Sequence, residues 1–335
     1  MLPTARKLSF SEVPVVDLAP AWRDAAGRQE VAQAIADAAG TVGFFYIKNH
    51  GLSDEDIRAI FQTAVDFHSL PLEDKMAVSV KLNNHAQGYL YGMSKGNDKN
   101  ISENLQEAFQ IRRPLAADDP GLLAGKPLHG LIPWPPAMPD LEPRMMAYYE
   151  KVNELGYWLL GMFEQSLGLA ADTLKASFAK DMNSLRLLHY PPQRPDESGE
   201  HLGARNHTDT NAFTILAQDV NGGLEVRNRE GEWVAVPPMA GTLVVNVGEV
   251  LKVWTDGVFT SAVHRVINRS GNERYSIPFF MYPSYDALIQ PLIQNPDPAN
   301  IAPEDLPTSF PRRPFVYGEL KSRNVARIMP QKETA

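Results

Sequence analysis

The chain of 335 residues contains no cysteine. That excludes disulfides, thiolate metal sites, iron–sulfur clusters and cysteine nucleophiles, so any metal must be held by nitrogen and oxygen. Runs of Lys and Arg never exceed two residues, and the formal net charge is −8. Nucleic-acid binders neutralise phosphates with clustered cations, so neither nucleic acid nor an anionic membrane is an expected partner. No apolar run approaches the roughly 20 residues of a membrane helix. Residues 1–17 mix charges with prolines and lack the apolar core of a signal peptide. The expected location is cytoplasmic. What is present is ordinary for a globular protein, with 44% hydrophobic and 21% charged residues. The length allows one large domain or two small ones.

Patterning changes along the chain. Residues 13–18 suit an edge strand. Over 28–40, Val31, Ile35 and Ala38 recur at helical spacing, and Gly40 ends the run. Residues 43–47 read as a buried strand closed by a turn at 49–51. Ser53 and Asp56 form a capping-box variant that opens a helix with Ile57, Ile60, Phe61, Ala64 and Phe67 on one face. Residues 80–140 are rich in Gly, Pro, Asn and Lys and predict loops with a short strand or two. A long amphipathic helix follows over 143–167. Short β-rich runs then succeed one another at 185–190, 213–218, 224–227, 233–236, 242–247, 258–266 and 275–282. Turn signals, including 221–223 and 229–231, separate them, which suggests a sandwich or barrel. The expected organisation is a mixed α/β region over 1–140 and a helix-plus-β catalytic region over 141–335. The two are expected to pack as one unit, with the site at about 184–284.

Three residues can converge on a metal. On a strand, positions i and i+2 point to the same side, so His207 and Asp209 would aim at one point. His264 lies in another predicted strand. Two histidines and a carboxylate on one face of an octahedral ion form the facial triad of non-haem iron(II) oxygenases. The three open positions suit a chelating 2-oxo acid and dioxygen. Ten residues beyond His264, Arg274 and Ser276 share one strand face. A guanidinium pairs with a carboxylate in bidentate fashion, so this pair would anchor the distal carboxylate of 2-oxoglutarate. Tyr190 offers a further hydrogen bond.

In this combination and order, the sequence resembles the isopenicillin N synthase-like family of iron(II)/2-oxoglutarate-dependent dioxygenases. The resemblance rests on residues 13–18, 43–52 and 70–75, and on 189–192, 207–209, 246–266 and 274–276. It implies a double-stranded β-helix, a jelly roll, flanked by N-terminal and central helices. It also implies that His207, Asp209 and His264 bind Fe(II) and that Arg274, Ser276 and Tyr190 bind 2-oxoglutarate, with dioxygen as the oxidant. Leu188 stands where many plant members have Asn, Glu249 where Asp is common, and Ile132 where Asn is frequent. The implied reaction hydroxylates, desaturates or cyclises a small organic substrate and releases succinate and CO2.

Other readings share these motifs. An iron oxidase of the same scaffold can keep the Arg-x-Ser pair without using 2-oxoglutarate. A jelly roll can serve as a binding module, and two histidines with a carboxylate can hold catalytic zinc. Phe213, Phe280, Tyr89 and Tyr91 are candidate substrate-lining aromatics, although aromatics are more often core. The segments 80–115 and 282–320 are candidate lining as well. His50, His68, His85 and His129 read as structural, and His201 as solvent-exposed. His189 should face away from Tyr190. Neither the substrate nor the oligomeric state is readable from the residues.

Overall fold

Strands that are apolar at nearly every position must be covered on both faces, and this chain has several. In the computed structural model, which describes residues 12–91, 106–192, 203–228, 230–296, 310–311 and 313–328, they form one large sheet. Its strands are β1 (Val15–Asp17), β2 (Phe44–Lys48), β3 (Gly88–Tyr91), β4 (Glu107–Arg112), β5 (Ser184–Tyr190), β7 (Phe213–Gln218), β10 (Thr242–Val247) and β12 (Arg274–Met281). The order across the sheet is β1-β2-β10-β7-β12-β5-β4-β3, antiparallel except for β1 against β2. A smaller sheet has the order β6 (Ala204–His207), β11 (His264–Val266), β8 (Leu224–Arg227), β9 (Trp233–Ala235).

Alternation along the strands sorts the core into two layers. Phe45, Ile47, Phe109, Leu185, Leu187, Phe213, Ile215, Val245, Ile277 and Phe279 join the helices in one cluster. Phe44, Tyr46, Ala108, Leu188, Tyr190, Leu216 and Val244 meet Ala204, Leu224, Val226 and Val266 of the smaller sheet in the other. The helices on the first face are α1 (Ala25–Thr41), α2 (Asp54–His68) and α5 (Leu141–Ser166), with the short α3 (Leu72–Met76) and α4 (Pro120–Leu123) in the connections. The capping box at Ser53 and Asp56 is formed in both directions. α6 (Glu249–Trp254) follows β10. A hairpin of β13 (Leu288–Ile289) and β14 (Phe315–Val316) leads into α7 (Tyr317–Ile328). This is the jelly-roll architecture with flanking helices. No helix of the described residues is long and apolar enough to cross a membrane.

Two sequence expectations need correction. Of 258–266 only His264–Val266 is strand. Val258 and Phe259 are buried through turn bonds to Thr255, whose backbone carbonyl and hydroxyl oxygens accept their N–H groups. An apolar run marks burial there, not extension. The strand carrying His207 stops at that residue, so Asp209 lies beyond it. His201, Arg229 and the stretches 92–105 and 297–309 lie outside the described residues.

Candidate functional site

Pairing of β11 with β6 places His264 opposite His207, with ring centroids 4.2 Å apart. Asp209 reaches the same point from the loop after β6. Its Oδ1 lies 3.8 Å from His207 Nε2 and 4.0 Å from His264 Nε2. The other oxygen is occupied: Oδ2 accepts from Thr214 Oγ1 at 2.6 Å and Asn246 Nδ2 at 2.8 Å. The far nitrogen of each imidazole faces a backbone carbonyl. His207 Nδ1 lies 2.6 Å from the Arg205 oxygen and His264 Nδ1 3.1 Å from the Ala262 oxygen. A carbonyl can only accept, so Nδ1 carries the proton and both Nε2 lone pairs are turned toward Asp209 Oδ1. Three unprotonated donors thus converge with their outer atoms already bonded, which is the arrangement metal ligands need. The donor set of two nitrogens and one oxygen fits iron(II).

Packing fixes His264 and Asp209, while His207 is exposed. Phe44 meets the His264 ring edge-on at 5.1 Å between centroids. A Cβ on Gly248 would stand 2.2 Å from the Asn211 carbonyl oxygen, so glycine lets the start of α6 close against this loop. Glu249 N–H then donates to the Asp209 carbonyl at 2.8 Å. Burial alone would raise the Asp209 carboxyl, but the two imidazoles and the bonds from Thr214 and Asn246 outweigh it and hold it low. Burial, and then the neighbouring His207, push His264 down to about 4. His264 is therefore a free base at neutral pH.

The triad opens into a cavity of about 660 Å³ between the two sheets, within the range of small-molecule sites. At its far end lies Arg274, only 1% exposed. Its Nε donates to the Gly222 carbonyl, and its Nη1 lies 3.4 Å from Ser276 Oγ. The Tyr190 ring lies under the guanidinium, 4.6 Å from centroid to carbon. No carboxylate pairs with Arg274 among the described residues.

Of the aromatics named from the sequence, Phe280 lines the cavity. The other three do not. Phe213 faces the helix layer and packs on Phe163, because it alternates with Thr214. Tyr89 is buried with its hydroxyl donating to Glu107, and Tyr91, at the end of an edge strand, is 57% exposed. The segments expected to line the cavity contribute Val80, Ala86, Leu90, Arg112 and Tyr282.

His189 points away from Tyr190, as alternation requires, and with His68 surrounds Glu107. That cluster was missed. So were Thr214 and Asn246, although a polar residue inside an apolar strand was a visible signal for both. Nothing local pointed to Arg112, Arg186 and Lys321, which also line the cavity.

Comparison with known proteins agrees with the geometry. Residues 182–283 match the model of the 2OG-Fe(II) oxygenase superfamily, and residues 13–137 match that of the "non-haem dioxygenase in morphine synthesis N-terminal" region. The 2-oxoglutarate-Fe(II) type oxidoreductase hxnY of Emericella nidulans is 33% identical over 273 residues, covering 80% of this chain and 78% of that protein. A putative 2OG-Fe(II) oxygenase family protein from Caulobacter crescentus superposes with a TM-score of 0.78 at 27% identity, over 95% of this chain and 100% of that one. A full-length Neurospora crassa protein solved in complex with alpha-KG superposes with a TM-score of 0.78 at 25% identity, over 94% and 96%. Fold, sequence and donor geometry agree: the chain belongs to the 2OG-Fe(II) oxygenase superfamily and is an oxidoreductase that uses iron(II), 2-oxoglutarate and dioxygen to oxidise a small organic substrate.

Proposed function

We propose that His207, Asp209 and His264 hold the iron, and that Arg274, with Ser276 and Tyr190 beside it, takes the distal carboxylate of 2-oxoglutarate. Arg274 is the observation that carries this reading. A buried guanidinium without a counter-ion costs several kcal/mol, and a dicarboxylate entering the cavity removes that cost. Its bonds to Gly222 and Ser276 keep the remaining donors aimed inward.

Bound iron(II) supplies the redox chemistry with dioxygen. The chain's own residues position the reactants. Thr214 and Asn246 keep one Asp209 oxygen engaged so that the other faces the metal position. The carbonyls of Arg205 and Ala262 keep both Nε2 atoms unprotonated. Phe44, Leu188 and Leu216 exclude water from the co-substrate's path. The outcome we favour is hydroxylation: one oxygen atom enters a substrate C–H bond, the other enters succinate, and CO2 leaves. No side chain need act as a general base.

The test is an anaerobic titration of metal-free protein with Fe(II) and then 2-oxoglutarate. A visible charge-transfer band that needs both is expected. Arg274→Ala should weaken the apparent affinity for 2-oxoglutarate by about 100-fold, the effect of roughly 3 kcal/mol for truncating one partner of a buried charge pair. An unchanged affinity would remove Arg274 from the role.

A further inference from the structure

The cavity is basic although the chain is acidic. Among the described residues, Arg112, Arg186, Arg274 and Lys321 line it with the carboxylates of Glu107 and Asp209, while the whole chain carries a net charge of −8. Both carboxylates are already engaged. Asp209 faces the two imidazoles, and Glu107 is bonded to Lys75, Tyr89 and His189.

Three of these cations stand together, apart from Arg274. On β5, Arg186 lies four residues from Tyr190, the register partner of Arg274. It is therefore on the same sheet face but about 13 Å along the strand. Arg112 is on the neighbouring strand, where its register partner is Ser184, while Gln110 pairs with Arg186. Lys321 comes down from α7. Its Nζ donates to Tyr282 Oη at 2.9 Å and to Thr210 Oγ1 at 3.3 Å. Thr210 follows Asp209, so this end of the cavity adjoins the triad.

Each of the three is held by neutral partners. Arg112 Nη1 donates to the carbonyls of His85 and Leu128. Arg186 Nε donates to Gln110 Oε1, and its guanidinium lies 4.9 Å over the Phe280 ring. No carboxylate is in ion-pair reach of any of them among the described residues. Burial, and with it the charges of Arg186 and Arg112, lower the Lys321 pKa, so the three repel one another. Such a cluster is unfavourable until an anion neutralises it, and 2-oxoglutarate is committed to Arg274. Around the cluster the walls are apolar: Val80, Ala86, Leu90, Phe280 and Val325.

We infer that the substrate is a small organic acid with an apolar body, its carboxylate taken by Arg186 and Lys321 with Arg112 behind them. The apolar body lies against those walls, beside the triad. This rests on the assignment of Arg274 to 2-oxoglutarate. It makes Arg186 and Lys321 the residues that set specificity for charge, because a neutral analogue leaves these half-buried cations, and the buried Arg112 behind them, without an anion.

The experiment is calorimetric titration of the full chain, anaerobic and saturated with Fe(II) and 2-oxoglutarate. The probes are phenylacetate, cinnamate and octanoate, each beside its primary amide. Binding of 2-oxoglutarate is established first, and its failure would undo the reading of Arg274 before any acid is added. At least one acid should bind at least about ten-fold tighter than its amide, and Arg186→Met or Lys321→Met should each weaken that acid by about ten-fold or more. Affinity for 2-oxoglutarate should stay within about two-fold in both variants, since Arg274 is distant. Arg186→Lys, which keeps the charge, should recover part of the binding and separates loss of charge from loss of fold. Amides that bind as tightly as the acids, acids that do not bind at all, or variants that leave acid affinity unchanged would each overturn the inference.

Discussion

His207, Asp209 and His264 on one side of the large sheet, and His68, Glu107 and His189 toward its helix side, each bring two imidazoles and a carboxylate within 4.8 Å of one another. Their surroundings differ. Asp209 gives its outer oxygen to neutral donors, Thr214 and Asn246, and positive charge must come from outside. Glu107 has a cation of its own: Lys75 Nζ lies 3.0 Å from Oε2, which also accepts from Tyr89. Its Oε1 meets His189 Nδ1 at 2.7 Å, and His189 Nε2 meets Glu273. With a carboxylate at each nitrogen, His189 holds both protons. Burial works against that, but the bonds to Glu107 and Glu273 outweigh it and raise its pKa, whereas His264 is pushed down to about 4. The first cluster presents lone pairs and the second presents protons. What lies behind each ligand decides whether two histidines and a carboxylate await a metal or close on themselves. The second cluster has one loose end. His68 Nε2 meets the Leu187 carbonyl, and its Nδ1 has no hydrogen-bond partner.

The sharpest way to break this contrast is to count metal. Wild-type protein should bind one iron per chain, measured by elemental analysis after desalting. Asp209→Ala should bind none and release succinate only at background. Glu107→Gln should still bind one. A wild type with two metals that Glu107→Gln reduced to one would make the clusters equivalent after all.

Stability separates them next. Removing one member of a buried ion pair leaves its partner uncompensated, at roughly 3 kcal/mol or more. Glu107→Gln strands Lys75 and His189, so chemical denaturation of the metal-free protein should show a loss of about that size. Asp209→Asn should cost the metal-free protein much less, because its neighbours Thr214 and Asn246 are neutral. A smaller effect belongs to the outer oxygen: Thr214→Val should weaken iron affinity by about 10- to 100-fold without changing the fold, the usual effect of losing a bond behind a ligand. Unaltered iron affinity would mean that Thr214 does not orient Asp209.

The two clusters also differ in how far the sequence revealed them. The triad was legible because His207 and Asp209 are close in the chain and because Arg274 and Ser276 repeat the same spacing after His264. Even so, Asp209 lies past the strand that was expected to carry it. Alternation gave the right direction for the wrong reason, since the loop is held by Glu249 N–H and Asn246 instead. Buried strands such as β7, β8 and β10 were found at their observed limits, because turn residues bound them. The run at 258–266 misled because Val258 and Phe259 are apolar to fill the core beside α5, not to extend a sheet. His68, Glu107 and His189 come from a helix end and two strands, and Arg112, Arg186 and Lys321 from two strands and a late helix. No periodicity within one segment can bring these together; only the order of the strands and the packing of the helices on them do.

The last contrast lies in pH. Glu107 is held below its ordinary 4.5: burial alone would raise it, but the bonds from His189 and Tyr89, with the His68 ring 3.5 Å away, prevail. Its contribution is present above 4.5 and fades as pH falls through the folded value. His189 is held above its ordinary 6.5, so its contribution is complete below 6.5 and fades as pH rises through the folded value. The cluster therefore stabilises most between 4.5 and 6.5. His264 acts in another window. Held near 4 against an ordinary 6.5, it costs stability as pH falls from 6.5 toward 4, because the unfolded chain takes up the proton first, and it contributes no slope above 6.5. Thermal melting of metal-free protein from pH 6.5 upward thus reads the His189 cluster with His264 silent. The midpoint should fall with rising pH, and Glu107→Gln should flatten the fall. A midpoint that climbs over that range, or a slope that survives Glu107→Gln, would show that His189 does not hold its second proton, and the cluster would then offer a lone pair as the triad does.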